Sequence, residues 1–417
     1  MSAAAAYDPM EDGHGADPAP SYRYVRAQGG AFYSARYDLF IIGRYDEVVR
    51  AALDVESFSS RTPSTGLRRT VPAAESALEG GPSPYPPVAT LHSADPPEHT
   101  LHRRIFNRVF SPRRTASYEP LVREVVEGLE RGLPRSGRFE LVEEYAVPLP
   151  IRVIATVLGM DDPKDAAALR QWSQALESMQ NPGVPADEQA TAAARIREWF
   201  DRVETEVRLR RGTHQDDLLS VLANEIDADG QHLGDAEIVS LATQGLVAGN
   251  ETSTALIAAM FLYLATDSSL LCQLQHEPQL IGNFVDEVLR LSAPAEGLYR
   301  VTTREVAVDG TTIPKGAKVQ LLWGSANRDP SQFTAPDLID LGRGNSSSHL
   351  SFGIGRHRCP GAALSRMEAV ITAETLLPRI EKLRLIDGDE PRWGRHFHHR
   401  GLDYLPLEVT TRPAGTR

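Results

Sequence analysis

Ser351-Phe352-Gly353-Ile354-Gly355-Arg356-His357-Arg358-Cys359-Pro360-Gly361 is the stretch on which the reading of this chain turns. Gly353 and Gly355 permit a tight backbone path that other residues avoid. Cys359 follows, and beyond Pro360 and Gly361 come Leu364, Met367, Val370 and Ile371 at helical spacing. The cysteine therefore stands at or just before a helix start, where backbone N–H groups and the helix dipole favour a thiolate. A thiolate is a nucleophile or a metal ligand. Zinc fits poorly, because no second cysteine is near and His357 is only two residues away. On these residues alone a Cys–His nucleophilic pair and a plain buried thiol both stay open.

The remainder of the chain sets the frame. Its 417 residues are 41% hydrophobic and 24% charged, which is ordinary globular usage with length for a large core. Lys and Arg number 44 against 56 Asp and Glu, a formal charge of −12, so general nucleic-acid binding is excluded as a main function. Residues 1–20 are polar and rich in Ala, Gly and Pro and are expected to be disordered. They carry no basic start and apolar run, so they read as neither signal peptide nor anchor. Two cysteines, Cys272 and Cys359, exclude a disulfide scaffold and suit the cytoplasm. Cys272, among Leu270, Leu271 and Leu274, reads as a small core residue.

Helical periodicity dominates. Tyr118, Leu121, Val122, Val125, Val126 and Leu129 recur at three- and four-residue steps. Similar patterns run through Leu141–Leu158, Ala166–Leu176, Ala190–Leu209, Asp217–Ala223 and Asp235–Ala265. Leu246–Thr266 is long and apolar enough for a bilayer. Yet it holds Asn250, Glu251, Thr252, Ser253 and Thr254, and a glutamate in lipid is costly; a buried central helix, kinked near Gly249, is the reading, with no membrane role. Strand signals are short: Val306 and Val308 before the Asp309-Gly310 turn, Val319 and Leu321, and Tyr404–Val409. Phe58–Thr90 has little periodicity and reads equally as a binding-site wall or a surface loop.

Six residues of the opening stretch, in the form Phe352-Gly353-x-Gly355-x-His357-x-Cys359-x-Gly361, resemble the haem-ligand loop of the cytochrome P-450 family. The resemblance extends in order from about Tyr22 to Val409. It implies a mainly α fold with small β-sheets, a triangular helical body with a long central helix over the haem, and one domain over residues 21–417. It implies haem b as cofactor with Cys359 as the axial iron ligand. Glu287-Val288-Leu289-Arg290 has the family's Glu-x-x-Arg form, and Phe333-x-x-Pro336-Asp337-x-x-Asp340-x-x-Arg343 resembles its meander segment. Together they imply a structural triad of Glu287, Arg290 and Arg343. Ala248-Gly249-Asn250-Glu251-Thr252 matches the family's acid–alcohol pair, which makes Glu251 and Thr252 the proton-delivery residues. Asp95–Arg104 resembles the family's entry into a helix flanking the haem, so His99 and Arg103, with Arg300, His349 and His357, are implied partners of the haem propionates.

The resemblance further implies a monooxygenase that inserts one oxygen atom of O2 into a small organic substrate, with electrons from NAD(P)H through an iron–sulfur ferredoxin and its reductase. Arg103, Arg104, Arg108, Arg113 and Arg114, with Arg356, Arg358 and Arg366, form the basic surface expected to receive the ferredoxin. The implied substrate pocket draws on the Ser59–Thr90 loop, Leu176–Val184, Leu241, Gln244, Gly245, Ala248, Ala293–Leu298 and His396–Arg400, with Leu298 and Phe397 as contacts. Arg61, Arg68 and Arg69 are candidates for meeting an anionic substrate group, and Glu296 is a further candidate contact. A monomer is the default. The rivals are a haem-thiolate isomerase, dehydratase or peroxygenase, a haem sensor or carrier without turnover, and a haem-free helical interaction protein.

Overall fold

The computed structural model describes residues 7–11, 13–61, 88–179, 185–394 and 399–412. Residues 62–87, with Arg68 and Arg69, residues 180–184, and Phe397 lie outside the described residues. Contacts divide the chain into two units. The first takes residues 1–59, 119–150 and 252–417, and the second takes residues 60–118 and 151–251.

Among the described residues all the sheets belong to the first unit. The largest has five strands in the order Phe32–Ser34, Leu39–Ile42, Lys318–Leu322, Gly297–Thr302 and Phe58–Ser59. Leu39–Ile42 and Lys318–Leu322 run parallel, with Phe40 opposite Val319 and Ile42 opposite Leu321. Parallel strands are covered on both faces and read as continuous apolar runs, as Leu39-Phe40-Ile41-Ile42 does. Ile42, Val48, Ile313, Val319 and Leu321 are fully buried together against Trp323 and Leu350. A three-stranded sheet joins Ser136–Glu140, Pro406–Thr411 and Ile380–Leu385. The Val306–Val308 and Thr311–Ile313 hairpin closes through Asp309 and Gly310, both at positive φ as the sequence required.

Among the described residues the second unit is helical apart from an isolated bridge between Ile226 and His232. Asp162 caps the helix Pro163–Ser178 by accepting from the Lys164 N–H at 2.9 Å, with proline in its first turn. Asp217 caps Leu218–Asn224 through the Ser220 N–H at 2.8 Å. Trp172 and Trp199 meet at 5.4 Å between ring centroids, and the Trp199 indole donates to Thr243 Oγ1 at 2.8 Å. The helix Asp235–Thr266 runs from this unit into the other, and 67% of its most apolar window is buried.

Two expectations need correction. The described part of residues 1–20 is not disordered: Tyr7, Asp8 and His14 are buried and Ala19–Ala27 is a helix. Its composition lacks apolar bulk, but it is held by specific polar partners remote in sequence. Cys272 is exposed rather than in the core, with Sγ 3.6 Å from His276 Nδ1. Leu270, Leu271 and Leu274 take the buried face of that helix and turn Cys272 outward.

Candidate functional site

In the first unit, the cysteine loop is built from backbone hydrogen bonds. The Gly353 N–H donates to Leu350 O at 2.7 Å, and the Cys359 N–H donates to Phe352 O at 2.8 Å. Gly353 and Gly355 have φ of +65° and +70°, the left-handed region that glycine enters without strain. A side chain at Gly353 would also lie 3.3 Å from the Trp323 ring. Helix Ala362–Leu376 begins directly after the loop with no side-chain cap and no acid in its first turn, so nothing offsets the positive end of its dipole. Cys359 is exposed and its thiol makes no disulfide.

Behind this loop stands the triad. Glu287 and Arg290 are both fully buried. Arg290 grips the carboxylate at 2.7 and 3.0 Å, and Arg343 Nε donates to it at 2.9 Å. Burial alone would raise the Glu287 carboxyl, yet the two guanidinium groups and the Asp340 N–H hold it below its ordinary value. Asn327, which sequence reasoning missed, relays this rigidity. Its carbonyl accepts from Arg290 at 3.0 Å, its Oδ1 accepts from the Leu350 N–H at 2.6 Å, and its Nδ2 donates to Ser351 Oγ at 2.9 Å. The triad thus reaches the start of the cysteine loop. An asparagine in Ala326-Asn327-Arg328-Asp329 carries no periodicity signal that could have exposed this.

Arg300 is 3% exposed and donates to Tyr299 O at 2.7 Å. His357 is half-buried on the loop. His349 differs from a charged propionate partner. Burial pushes its pKa down to about 4, and its Nδ1 accepts from the Ser351 N–H at 3.2 Å. It is a neutral imidazole with one N–H left to give.

In the second unit, His99 is buried on helix Glu98–Val109 and Arg103 is half-buried one turn later. His102, on the same helix, pairs with Glu237 at 2.7 Å. The basic stretch is less free than its sequence suggests: Arg104 and Arg108 both pair with the buried Glu225, each at 2.7 Å. Likewise, in the first unit Arg366 holds Asp286 at 2.7 Å. Arg61, a candidate for an anionic substrate, instead pairs with Glu98 at 2.7 Å.

The helix Asp235–Thr266 runs without interruption through Gly249. Gly249 serves packing: a β-carbon there would lie 2.8 Å from Ile154. Burial pushes the Glu251 carboxyl well above its ordinary range, and the nearby Glu177 adds to the rise. Asn250 donates to Ser173 Oγ at 3.3 Å. Thr252 is half-buried. Ser253 and Thr254 spend their hydroxyls outside their own helix, on Ser365 Oγ at 3.0 Å and Ala146 O at 3.1 Å, which removes one cause of bending.

Of the pocket residues, Leu241 is fully buried and therefore a core position. Gly245 lies against Leu218, 2.7 Å from where its β-carbon would be. Gln244 and Leu298 are half-buried and Ala248 is exposed. Glu296 does not await a substrate. It is 1% exposed, and its carboxylate accepts from Tyr22 and lies 2.8 Å from His14 Nε2.

Glu368 also escaped the sequence reading. It is 3% exposed beside Ser253, and burial pushes its carboxyl up to about 8. The folded chain thus holds this proton more tightly than the unfolded chain, whose carboxyl titrates near 4.5. Stability from this group is complete below about 4.5 and is lost as pH rises toward 8, by about 3 kcal/mol at neutral pH. Glu368→Gln, a permanent mimic of the protonated acid, should raise the thermal midpoint near pH 8 and change it little near pH 5. Thermal melts across that range check this, and a pH-independent difference would refute it.

Comparison with known proteins places these features. The sequence profile of the family described as cytochrome P450 matches residues 188–389. The chain is 36% identical to the cytochrome P450 monooxygenase PikC of Streptomyces venezuelae, over 96% of this chain and 94% of that protein. It is 33% identical to the 6-deoxyerythronolide B hydroxylase of Saccharopolyspora erythraea, over 89% and 90% of the two chains. Its backbone superposes on cytochrome P450 CYP109Q5 from Chondromyces apiculatus with a TM-score of 0.85 and 31% identity, covering 98% and 99%.

Proposed function

This chain belongs to the cytochrome P450 family, and from that premise we propose that Cys359 binds haem iron and that the protein hydroxylates, or similarly oxidises, a small organic substrate. The family's fold, its haem b cofactor and its monooxygenase activity apply to this chain. The observation that carries the site assignment is the cysteine loop: an accessible thiol at an uncapped helix start, on a backbone fixed from behind by a buried triad. A lone thiol accompanied by cationic and imidazole donors suits an iron porphyrin with two carboxylates better than a bare ion. His99, Arg103, Arg300 and His357 hold the propionates, with charge-assisted bonds from the arginines. His349 can contribute only a neutral hydrogen bond.

The chemistry supplied by the bound cofactor is reductive activation of O2, with one oxygen atom leaving in product and the other in water. The chain's part is to meter protons. Burial, with Glu177 beside it, raises the affinity of the Glu251 carboxyl for its proton, which suits a group that holds a proton and passes it on. Thr252, the next residue, passes a proton on through its hydroxyl. Electrons come from NAD(P)H through a ferredoxin and its reductase, and the exposed Arg356, Arg358 and Arg113 are the docking cations. The protein acts as a cytoplasmic monomer.

Two measurements test this reading. The reduced protein under carbon monoxide should show the strongly red-shifted band of thiolate ligation. With redox partners, substrate should stimulate NAD(P)H consumption. Thr252→Ala should then keep consuming NAD(P)H and O2 while product per electron pair falls about tenfold or more and hydrogen peroxide rises. Unchanged coupling would remove Thr252 from proton delivery.

A further inference from the structure

The N-terminal segment, residues 7–11 and 13–18, has no part in the chemistry above, yet it carries a buried charged network. His14 is 7% exposed, with Nε2 2.8 Å from Glu296 Oε1 and Nδ1 3.2 Å from Ser21 Oγ. Tyr22 donates to the same Glu296 oxygen. The His14 ring meets Tyr7 and Tyr22 edge-on, each at 5.7 Å. Arg400, 6% exposed, donates to Gly15 O at 2.6 Å and to Ser292 O at 3.2 Å, and stacks on Trp393 at 4.3 Å. Asp8 anchors the far end of the segment through Arg36 and Tyr37.

Glu296 and Arg400 stand on two segments that register against each other. Ala295 bridges His399, and the Arg400 N–H donates to Pro294 O at 2.8 Å. The Glu296 carbonyl accepts from the Gly324 N–H at 3.1 Å, so main chain and side chain are both fixed. Burying such charges returns little net stability. What they do supply is position, because guanidinium bonds to backbone carbonyls set where each strand lies. Burial would raise the Glu296 carboxyl, but His14, Tyr22 and Arg400 hold it below its ordinary value, so it acts as an anionic post.

We infer that the N-terminal segment is a specificity-determining strap: through His14 on Glu296 and Gly15 on Arg400 it fixes Ala293–Leu298 and His399–Gly401, and thereby decides how bulky a ligand the site admits. This rests on the haem-thiolate reading above, in which those two segments border the substrate. His14, Glu296 and Arg400 are positioning residues and touch no reacting atom.

The test uses the full-length, haem-loaded protein and two iron-binding probes, imidazole and the bulkier phenylimidazole, titrated optically. His14→Ala should change the phenylimidazole dissociation constant by about threefold or more while imidazole stays within about twofold, the effect expected of one lost hydrogen bond. His14→Gln, which can still donate to Glu296, should restore the ratio. Equal shifts for both probes, or none, would overturn the inference. Should His14→Ala not fold, Asp8→Asn loosens the strap from its outer end, and an unchanged ratio there overturns it equally. Absence of the red-shifted carbon monoxide band in the unmutated protein would instead defeat the haem-thiolate reading and the strap with it. That band with an unaltered ratio would defeat the strap alone.

Discussion

Cys359→Ser should eliminate the red-shifted band of the reduced carbon monoxide complex and lower substrate oxidation by about a thousandfold or more, the equivalent of about 4 kcal/mol of barrier. A serine oxygen is a harder and far more basic donor, and at neutral pH it stays protonated on this loop. The loop itself should survive, since its hydrogen bonds come from the backbone of Gly353 and Cys359 and not from the thiol. Circular dichroism should therefore match that of the unmutated protein. Cys272→Ser is the control: that thiol is exposed on another helix, and its loss should leave band and rate unchanged. A Cys359→Ser protein that keeps both band and activity would end the ligand assignment.

Glu287→Ala should destabilise the sheet-bearing unit by about 3–5 kcal/mol, because two buried guanidinium groups lose their shared counter-charge. Arg290 would keep three carbonyl partners, at Asn327, Pro336 and Leu338, but these cannot neutralise it. Removing Glu287 should also loosen Asn327, and with it the Leu350 N–H bond that begins the cysteine loop. Haem retention should fall along with the denaturant midpoint. Urea titrations with and without haem check both effects, and a loss of less than about 1 kcal/mol would show the network to be dispensable.

The parts of this molecule that were legible in advance were local. The cysteine motif, Glu-x-x-Arg and the Asp309-Gly310 turn are fixed spacings; the structure pairs Glu287 with Arg290 as that spacing implied and adds Arg343 as the family resemblance implied. Helices with one apolar stripe were legible too: the pattern ending at Leu129 is the helix Glu119–Glu130. Contacts made across long sequence distances were not. Nothing near His14 announces Glu296, and nothing near Asn327 announces Leu350. Apolar residues surround the helix Asp235–Thr266 on all sides, so its pattern does not say which side faces what: Leu241 is fully buried and Gly245 lies against Leu218. Nor does the sequence around Gly249 show that a β-carbon there would lie 2.8 Å from Ile154.

The parallel pairing of Leu39–Ile42 with Lys318–Leu322 bears on how the chain is made. The first strand emerges from the ribosome early, and its partner is synthesised on the order of tens of seconds later at ordinary rates of elongation. Through that interval an apolar run with open backbone groups is exposed to other nascent chains and to chaperones. The helices of residues 151–251 are complete before that partner exists, so translation itself sets the order in which the two units can close.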